Sequence, residues 1–189
     1  RKAEELSAKH GWFLSRQFEN EANPAYHRNT TGPEILRDFA GRRLDFFVSG
    51  WGTGGTLSGV GQTLKLARPE VQIVATEPQN ASLLAGGSFT PHKIQGWTPD
   101  FVPKVLDRSV VDRIVPVSDD EALETARALA AREGIFCGIS CGGTFAAALK
   151  VARAAEPGSV VLAMLPDTGE RYLSTALFAH LPEGSDPEP

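Results

Sequence analysis

Short apolar runs alternating with helical segments constrain this chain more than any other feature. Candidate strands lie at Trp12–Phe18, Leu44–Ser49, Val71–Thr76, Arg113–Val117 and Val160–Leu165, and helices begin near Pro33, Thr56, Asp119, Cys141 and Tyr172. A continuous apolar run has no solvent-facing side, so such strands belong in a parallel sheet covered by helices on both faces. The expected fold class is therefore α/β, a three-layer αβα sandwich around a mostly parallel sheet. Residues 1–181 read as one domain, and PEGSDPEP at 182–189 reads as a solvated tail.

Local signals agree with that outline. Thr31-Gly-Pro-Glu34 and Ser118-Asp-Asp-Glu121 both carry the hydroxyl-to-Glu spacing of a capping box. Gly134 closes the helix that Ser118 opens. The opening RKAEELSAKHGW reads as an amphipathic helix and not as a signal or transit peptide. From Asn80 to Ser109 the pattern lapses into Gly, Pro, Ser and Trp, which in a compact domain marks a functional excursion or a partner contact.

Charge and cysteine usage exclude several function classes. A net charge of −4 offers no basic footprint for nucleic acid or an anionic membrane. No apolar run reaches the roughly 18–20 residues that span a bilayer, and the composition is that of a soluble, cytoplasmic protein. Cys137 and Cys141 have no second pair and no neighbouring histidine. They read as buried thiols, and no metal site is expected.

The segment SGWGTGGTLSGVG, 49–61, sits between a candidate strand and a candidate helix. Its backbone N–H groups converge at a helix N-terminus, which favours an anion. Gly50, Gly52 and Gly55 match G-x-G-x-x-G, and Glu77 follows about 20 residues later, where a ribose-binding acid stands in dinucleotide sites. Glu77 is equally a strand-end carboxylate before a turn at Pro78. Thr53, Thr56 and Ser58 add hydroxyls suited to a compact phosphate dianion. The loop specifies a phosphate without specifying what carries it.

The segments RQFENEANPAYHRNTTGPEI, SGWGTGGTLSG, PHKIQG, GIFCGISCGG and LPDTGERYLSTALF, in this order and spacing, resemble the C-terminal part of cysteine synthase (O-acetylserine sulfhydrylase) from about residue 1 to residue 181. The resemblance implies the large domain of a fold type II (tryptophan-synthase-β type) enzyme with its N-terminal domain absent, and pyridoxal 5′-phosphate as cofactor. It implies that Gly52, Thr53, Gly54, Gly55 and Thr56 hold the cofactor phosphate and that Ser140 hydrogen-bonds the pyridine nitrogen. On the residues alone, Ser140 is the N-cap of the helix at Cys141, and one hydroxyl can fill both roles. A neutral donor leaves the ring nitrogen unprotonated, which suits β-elimination. Gln17, Gly96 and Trp97 fall to the substrate pocket by the same resemblance.

The implied activity is β-replacement on a small amino acid, giving cysteine from O-acetylserine and sulfide. DFVPKVLDRSVVD leans toward cystathionine β-synthase, a relative with the same cofactor chemistry, whereas TTGPEI leans back toward cysteine synthase. The family further implies a homodimer and docking by the C-terminal tail of serine acetyltransferase.

Three places depart from the family pattern. Cys141 takes the second position of the usual Ser-Ser pair. Asp167 stands where a serine is common, and its carboxylate either alters ring protonation or pairs with Arg171. GWTPDF, 96–101, replaces a glycine-rich turn, so Trp97 either narrows the pocket or packs as core. The Schiff-base lysine and the Ser-Gly-Asn-Thr-Gly loop of the family occur nowhere in the chain. Lys2, Lys9, Lys65, Lys93, Lys104 and Lys150 match no such position and read as surface charges. No catalytic residue is therefore expected here, and the chain reads as an inactive fragment of a longer enzyme. The rival reading is a lysine-free binding or regulatory module.

Overall fold

A computed structural model describes residues 2–181; the expected tail at 182–189 lies outside the described residues. The elements are α1 (Lys2–His10), α2 (Ala22–Asn29), α3 (Thr31–Asp38), β1 (Phe46–Gly50), α4 (Gly55–Ala67), β2 (Gln72–Pro78), β3 (Arg113–Val117), α5 (Asp119–Glu133), α6 (Ile139–Ala154) and β4 (Val161–Ala163). The strands form one sheet of order β3-β2-β1-β4 in which every neighbouring pair is parallel.

Side-chain alternation along the strands builds two apolar layers. Phe47, Ile73 and Ala75 pack with Leu57, Val60 and Leu64 of α4 and with Ile35 of α3. Val48, Val74, Val115 and Val117 pack on the other face with Ala122, Leu123 and Ala126 of α5 and with Ala146, Ala147 and Val151 of α6. This is the expected three-layer α/β architecture.

The strand order also locates a crevice. The chain builds outward from β1 through β2 to β3, then returns to place β4 on the opposite flank of β1. The loops after β1 and β4 therefore leave in opposite directions, and a parallel sheet opens at its C-terminal edge at such a switch point. Both the glycine loop and the segment around Asp167 start there.

Several local expectations hold and others do not. Ser118 Oγ accepts the Glu121 N–H at 3.1 Å, the Ser118 N–H donates to Glu121 Oε2 at 2.8 Å, and Gly134 ends α5 at φ 68°. Residues 12–18 are not a strand. Arg16 has φ 47°, the N–H groups of Glu19 and Asn20 return to its carbonyl, and Phe13 is 88% exposed, so the chain turns where a ladder would need it extended. Thr31 does not cap α3: its N-cap is Thr30, with no side-chain cap. After Gly169–Tyr172, a 3₁₀ turn, only further turns follow in place of the helix expected from Tyr172.

Glu77 is fully buried at the end of β2, where Oε2 accepts the Leu84 N–H and Oε1 the Ala85 N–H, each at 3.0 Å. Burial pushes its carboxyl above the ordinary glutamate range, against the pull of those two donors. The carboxylate is committed to the first turn of the irregular 79–107 stretch and lines no part of the crevice, so the ribose-acid reading of Glu77 does not hold.

Candidate functional site

The irregular stretch folds back over the glycine loop. The Thr98 N–H donates to the Trp51 carbonyl at 2.8 Å. A Cβ at Gly52 would collide with the Gly96 carbonyl oxygen, and one at Gly50 would collide with the Trp97 indole. These two glycines are required by close approach, not by turn geometry. Gly54 is different: at φ 84° it is the left-handed residue that redirects the chain into α4.

The cavity at this point measures about 400 Å³, within the range of small-molecule sites. Gln17, Gly52, Thr53, Thr56, Gly96, Trp97 and Ser140 all line it, as does Asp167 from the loop after β4. Gly54 and Gly55 stand behind the wall. Gly55 contributes its N–H to Thr53 Oγ1 at 3.2 Å.

Thr53 Oγ1 also accepts from Asn23 Nδ2 at 2.9 Å. With both lone pairs engaged, its single proton is left to donate elsewhere, and the residue faces the cavity. Thr56 Oγ1 meets His27 Nε2 at 3.1 Å, and His27 Nδ1 meets Thr31 Oγ1 at 2.9 Å. Burial lowers the His27 pKa, which favours the neutral imidazole, with one donor and one acceptor nitrogen for the two threonines. Thr31, read from sequence as a cap, is held instead by this histidine.

Asn23 and His27 carried no role in the sequence reading. Asn23 and His27 lie four residues apart on one face of α2, and Thr31 opens α3 just beyond it. Opposite them, Gly55 and Gly59 recur at the same interval on α4. A Cβ at Gly55 would strike the Asn23 carboxamide, and one at Gly59 would strike the Pro24 carbonyl. The small face of α4 lets α2 lie against it closely enough for its polar side chains to reach the loop threonines.

Ser140 sits across the cavity in the first turn of α6. The N-cap is Gly138, so the cap role expected of Ser140 is not observed. The residue is 5% exposed, and its hydroxyl has no hydrogen-bond partner among the described residues. Two helices of 13 and 16 residues, α4 and α6, thus present their N-termini to one cavity, with a hydroxyl cluster at the first and the unpartnered Ser140 hydroxyl at the second.

Trp97 is 8% exposed and rests on Gly50 and Gly143 within the α6-side core. It is both core and cavity wall. Asp167 forms no ion pair with Arg171 among the described residues; its carboxylate accepts from Tyr172 Oη and from Cys141 Sγ. None of the lysines lines the cavity. Lys2, Lys65, Lys104 and Lys150 pair with Glu5, Asp112, Glu19 and Glu121. Among the described residues no helix is long and apolar enough to cross a membrane, and no group of three or more His, Cys, Asp or Glu is placed to hold a metal ion.

Residues 1–167 match the family described as "Pyridoxal-phosphate dependent enzyme". The chain is 62% identical over 184 residues to the O-ureido-L-serine synthase of Streptomyces lavendulae, an alignment covering 97% of this chain and 57% of that protein. It is 48% identical over 179 residues to the cysteine synthase of Staphylococcus aureus, covering 95% of this chain and 58% of the relative. A crystal structure of O-ureido-L-serine synthase superposes with a TM-score of 0.93 at 62% identity, over 97% of this chain and 58% of that one. The chain spans somewhat more than half the length of these relatives.

Proposed function

Because the chain belongs to the pyridoxal-phosphate-dependent enzyme family, we propose that the whole protein replaces the β-substituent of an O-activated L-serine. Residues 2–181 supply the phosphate side and the ring-nitrogen side of its site. The observation that carries this reading is the pairing, across one cavity, of oriented threonine hydroxyls at the start of α4 with the unpartnered Ser140 hydroxyl at the start of α6.

The residues present fit the cofactor. The α4 N-terminus, Thr53, Thr56 and the bare backbone at Gly52 suit a phosphate dianion, which gains from several donors at once and from the positive end of a helix. Ser140, on the same cavity, would offer a single neutral donor to the ring nitrogen. The α6 N-terminus disfavours positive charge at that end and would favour an unprotonated ring nitrogen.

When bound, pyridoxal phosphate supplies the conjugated electron sink through which the α-proton is lost and the β-substituent departs. This chain's residues position that sink. Thr53 and Thr56 fix the phosphate, while Gly96 and Trp97 wall off the reacting face and exclude water. Gln17, at the turn before α2, borders the space left for the amino acid. The lysine that this chemistry requires comes from a part of the whole protein outside this chain.

The nucleophile is read from the relatives. O-ureido-L-serine bears a urea on the serine oxygen, so a β-replacement producing it takes hydroxyurea as its oxygen nucleophile. The 62% identity to the Streptomyces synthase makes this the first expectation. Sulfide, giving cysteine, is the second reading, carried by the 48% identity to cysteine synthase. Steady-state turnover of the whole protein with O-acetylserine should show kcat/KM for hydroxyurea or sulfide well above that for homocysteine. Turnover confined to serine plus homocysteine would reassign the protein to cystathionine formation, and no turnover with any of the three would remove the β-replacement reading.

A further inference from the structure

Asp167 is an unexpected group to find beside Ser140. A carboxylate near a ring nitrogen favours its protonated form, because an opposite charge stabilises the cation. The α6 N-terminus and the neutral Ser140 hydroxyl act in the opposite sense. The structure shows how this conflict is handled.

Both oxygens of Asp167 are engaged. Cys141 Sγ donates to Oδ1 at 3.0 Å, and the Tyr172 phenol donates to Oδ2. Cys141 is fully buried, one residue beyond Ser140, and Tyr172 is 7% exposed. Gly138, the N-cap of α6, makes room for both partners: a Cβ there would collide with the Asp167 carboxylate and with the Tyr172 ring. Cys137 packs against Cys141 from the segment before α6, and Arg171 acts on Tyr172 from the 3₁₀ turn.

We infer that Cys141 and Tyr172 form a clamp that holds Asp167 as a positioning residue, so that its carboxylate does not draw a proton onto the ring nitrogen facing Ser140. Two donors spread the carboxylate's charge over two hydrogen bonds and fix its direction against Gly138. The thiol and phenol remain protonated donors in return. The Cys141 pKa is pushed up by the neighbouring Cys137, by burial and by Asp167, and the Tyr172 pKa by burial and then by Asp167. The clamp explains how a carboxylate coexists with a serine at this end of the cavity. It also gives the Cys141 departure a function, since a thiol in the first turn of α6 reaches the loop after β4.

This inference rests on the pyridoxal-phosphate reading of the site, and one experiment separates the two. The whole protein is loaded with cofactor labelled with ¹⁵N in the ring, and the nitrogen resonance is followed against pH. The wild type should report an unprotonated nitrogen at neutral pH. Tyr172→Phe and Cys141→Ala should each raise the nitrogen's apparent pKa by about one unit, a tenfold gain in the protonated-to-unprotonated ratio. Cys141→Ser, which keeps a donor, should stay near wild type, and adding Asp167→Asn to Tyr172→Phe should restore the wild-type resonance. A structural role alone would move none of these resonances. If Tyr172→Phe does not fold, Cys141→Ala carries the test. A bound cofactor whose resonance ignores both donor deletions, or is already protonated in the wild type, overturns the clamp and leaves the functional reading standing. Failure of the labelled cofactor to bind overturns both.

Discussion

Thr53→Ala combined with Thr56→Ala in the whole protein should weaken pyridoxal-phosphate binding by about 10²–10⁴-fold. Each hydroxyl donates to a charged acceptor, an interaction worth roughly 1.5–3 kcal/mol, and two of them amount to about 3–6 kcal/mol. The estimate applies because both hydroxyls are already oriented. Thr53 Oγ1 is held at 2.9 Å by Asn23 Nδ2; with the His27 proton on Nε2, Thr56 Oγ1 accepts from it at 3.1 Å and keeps its own proton for the phosphate, so little ordering is required on binding. Equilibrium dialysis of the cofactor against wild type and variant measures the effect. An unchanged dissociation constant would show that the threonines only shape the loop.

Gly59→Val should act on the same site from behind. A Cβ at Gly59 meets backbone atoms of Pro24 and Arg28 and the His27 Cβ, none of which can swing aside as a side-chain end would. Overpacking of this kind costs about 1–3 kcal/mol, with backbone obstacles toward the upper end. The relief available is separation of α2 from α4, which withdraws Asn23 and His27 from the loop threonines. Both a lower denaturation midpoint and weaker cofactor retention are therefore expected, with Gly59→Ala intermediate in each. A valine variant with wild-type stability and cofactor affinity would mean that α2 does not support the loop through this contact.

These two results would test the part of the site that was least legible in the sequence. The sheet was legible because its strands are apolar on both faces, and α5 was legible because Ser118, Glu121 and Gly134 are local signals that need no tertiary partner. The α2 helix was not, because its working face is Asn23 and His27. A polar face of that kind is buried only where a neighbouring helix is reduced to glycine, and no local pattern reveals the pairing. Thr31 misled for the same reason: its spacing to Glu34 satisfied a capping rule while its hydroxyl was committed to His27.

Residues 12–18 had strand-like composition without a strand to pair with, and Arg16 turns the chain instead. Ser140 was correctly placed at the start of a helix but two positions inside it, since Gly138 supplies the cap. That shift leaves the hydroxyl unpartnered and facing the cavity. The Asp167 alternatives, left open by the sequence, depended on which side chains the loop after β4 would meet, and the partners proved to be Cys141 and Tyr172 instead of Arg171.

The central claim is that this chain forms the phosphate and ring-nitrogen side of a pyridoxal-phosphate site whose lysine lies elsewhere in the whole protein. Borohydride reduction of the purified whole protein, followed by peptide mapping of the pyridoxylated lysine, tests it most directly. The account predicts a single labelled lysine outside the 189 residues of this chain, lost when Thr53 and Thr56 are both replaced. A label on Lys2, Lys9, Lys65, Lys93, Lys104 or Lys150, or a colourless protein that binds a nicotinamide dinucleotide in the glycine loop, would contradict it.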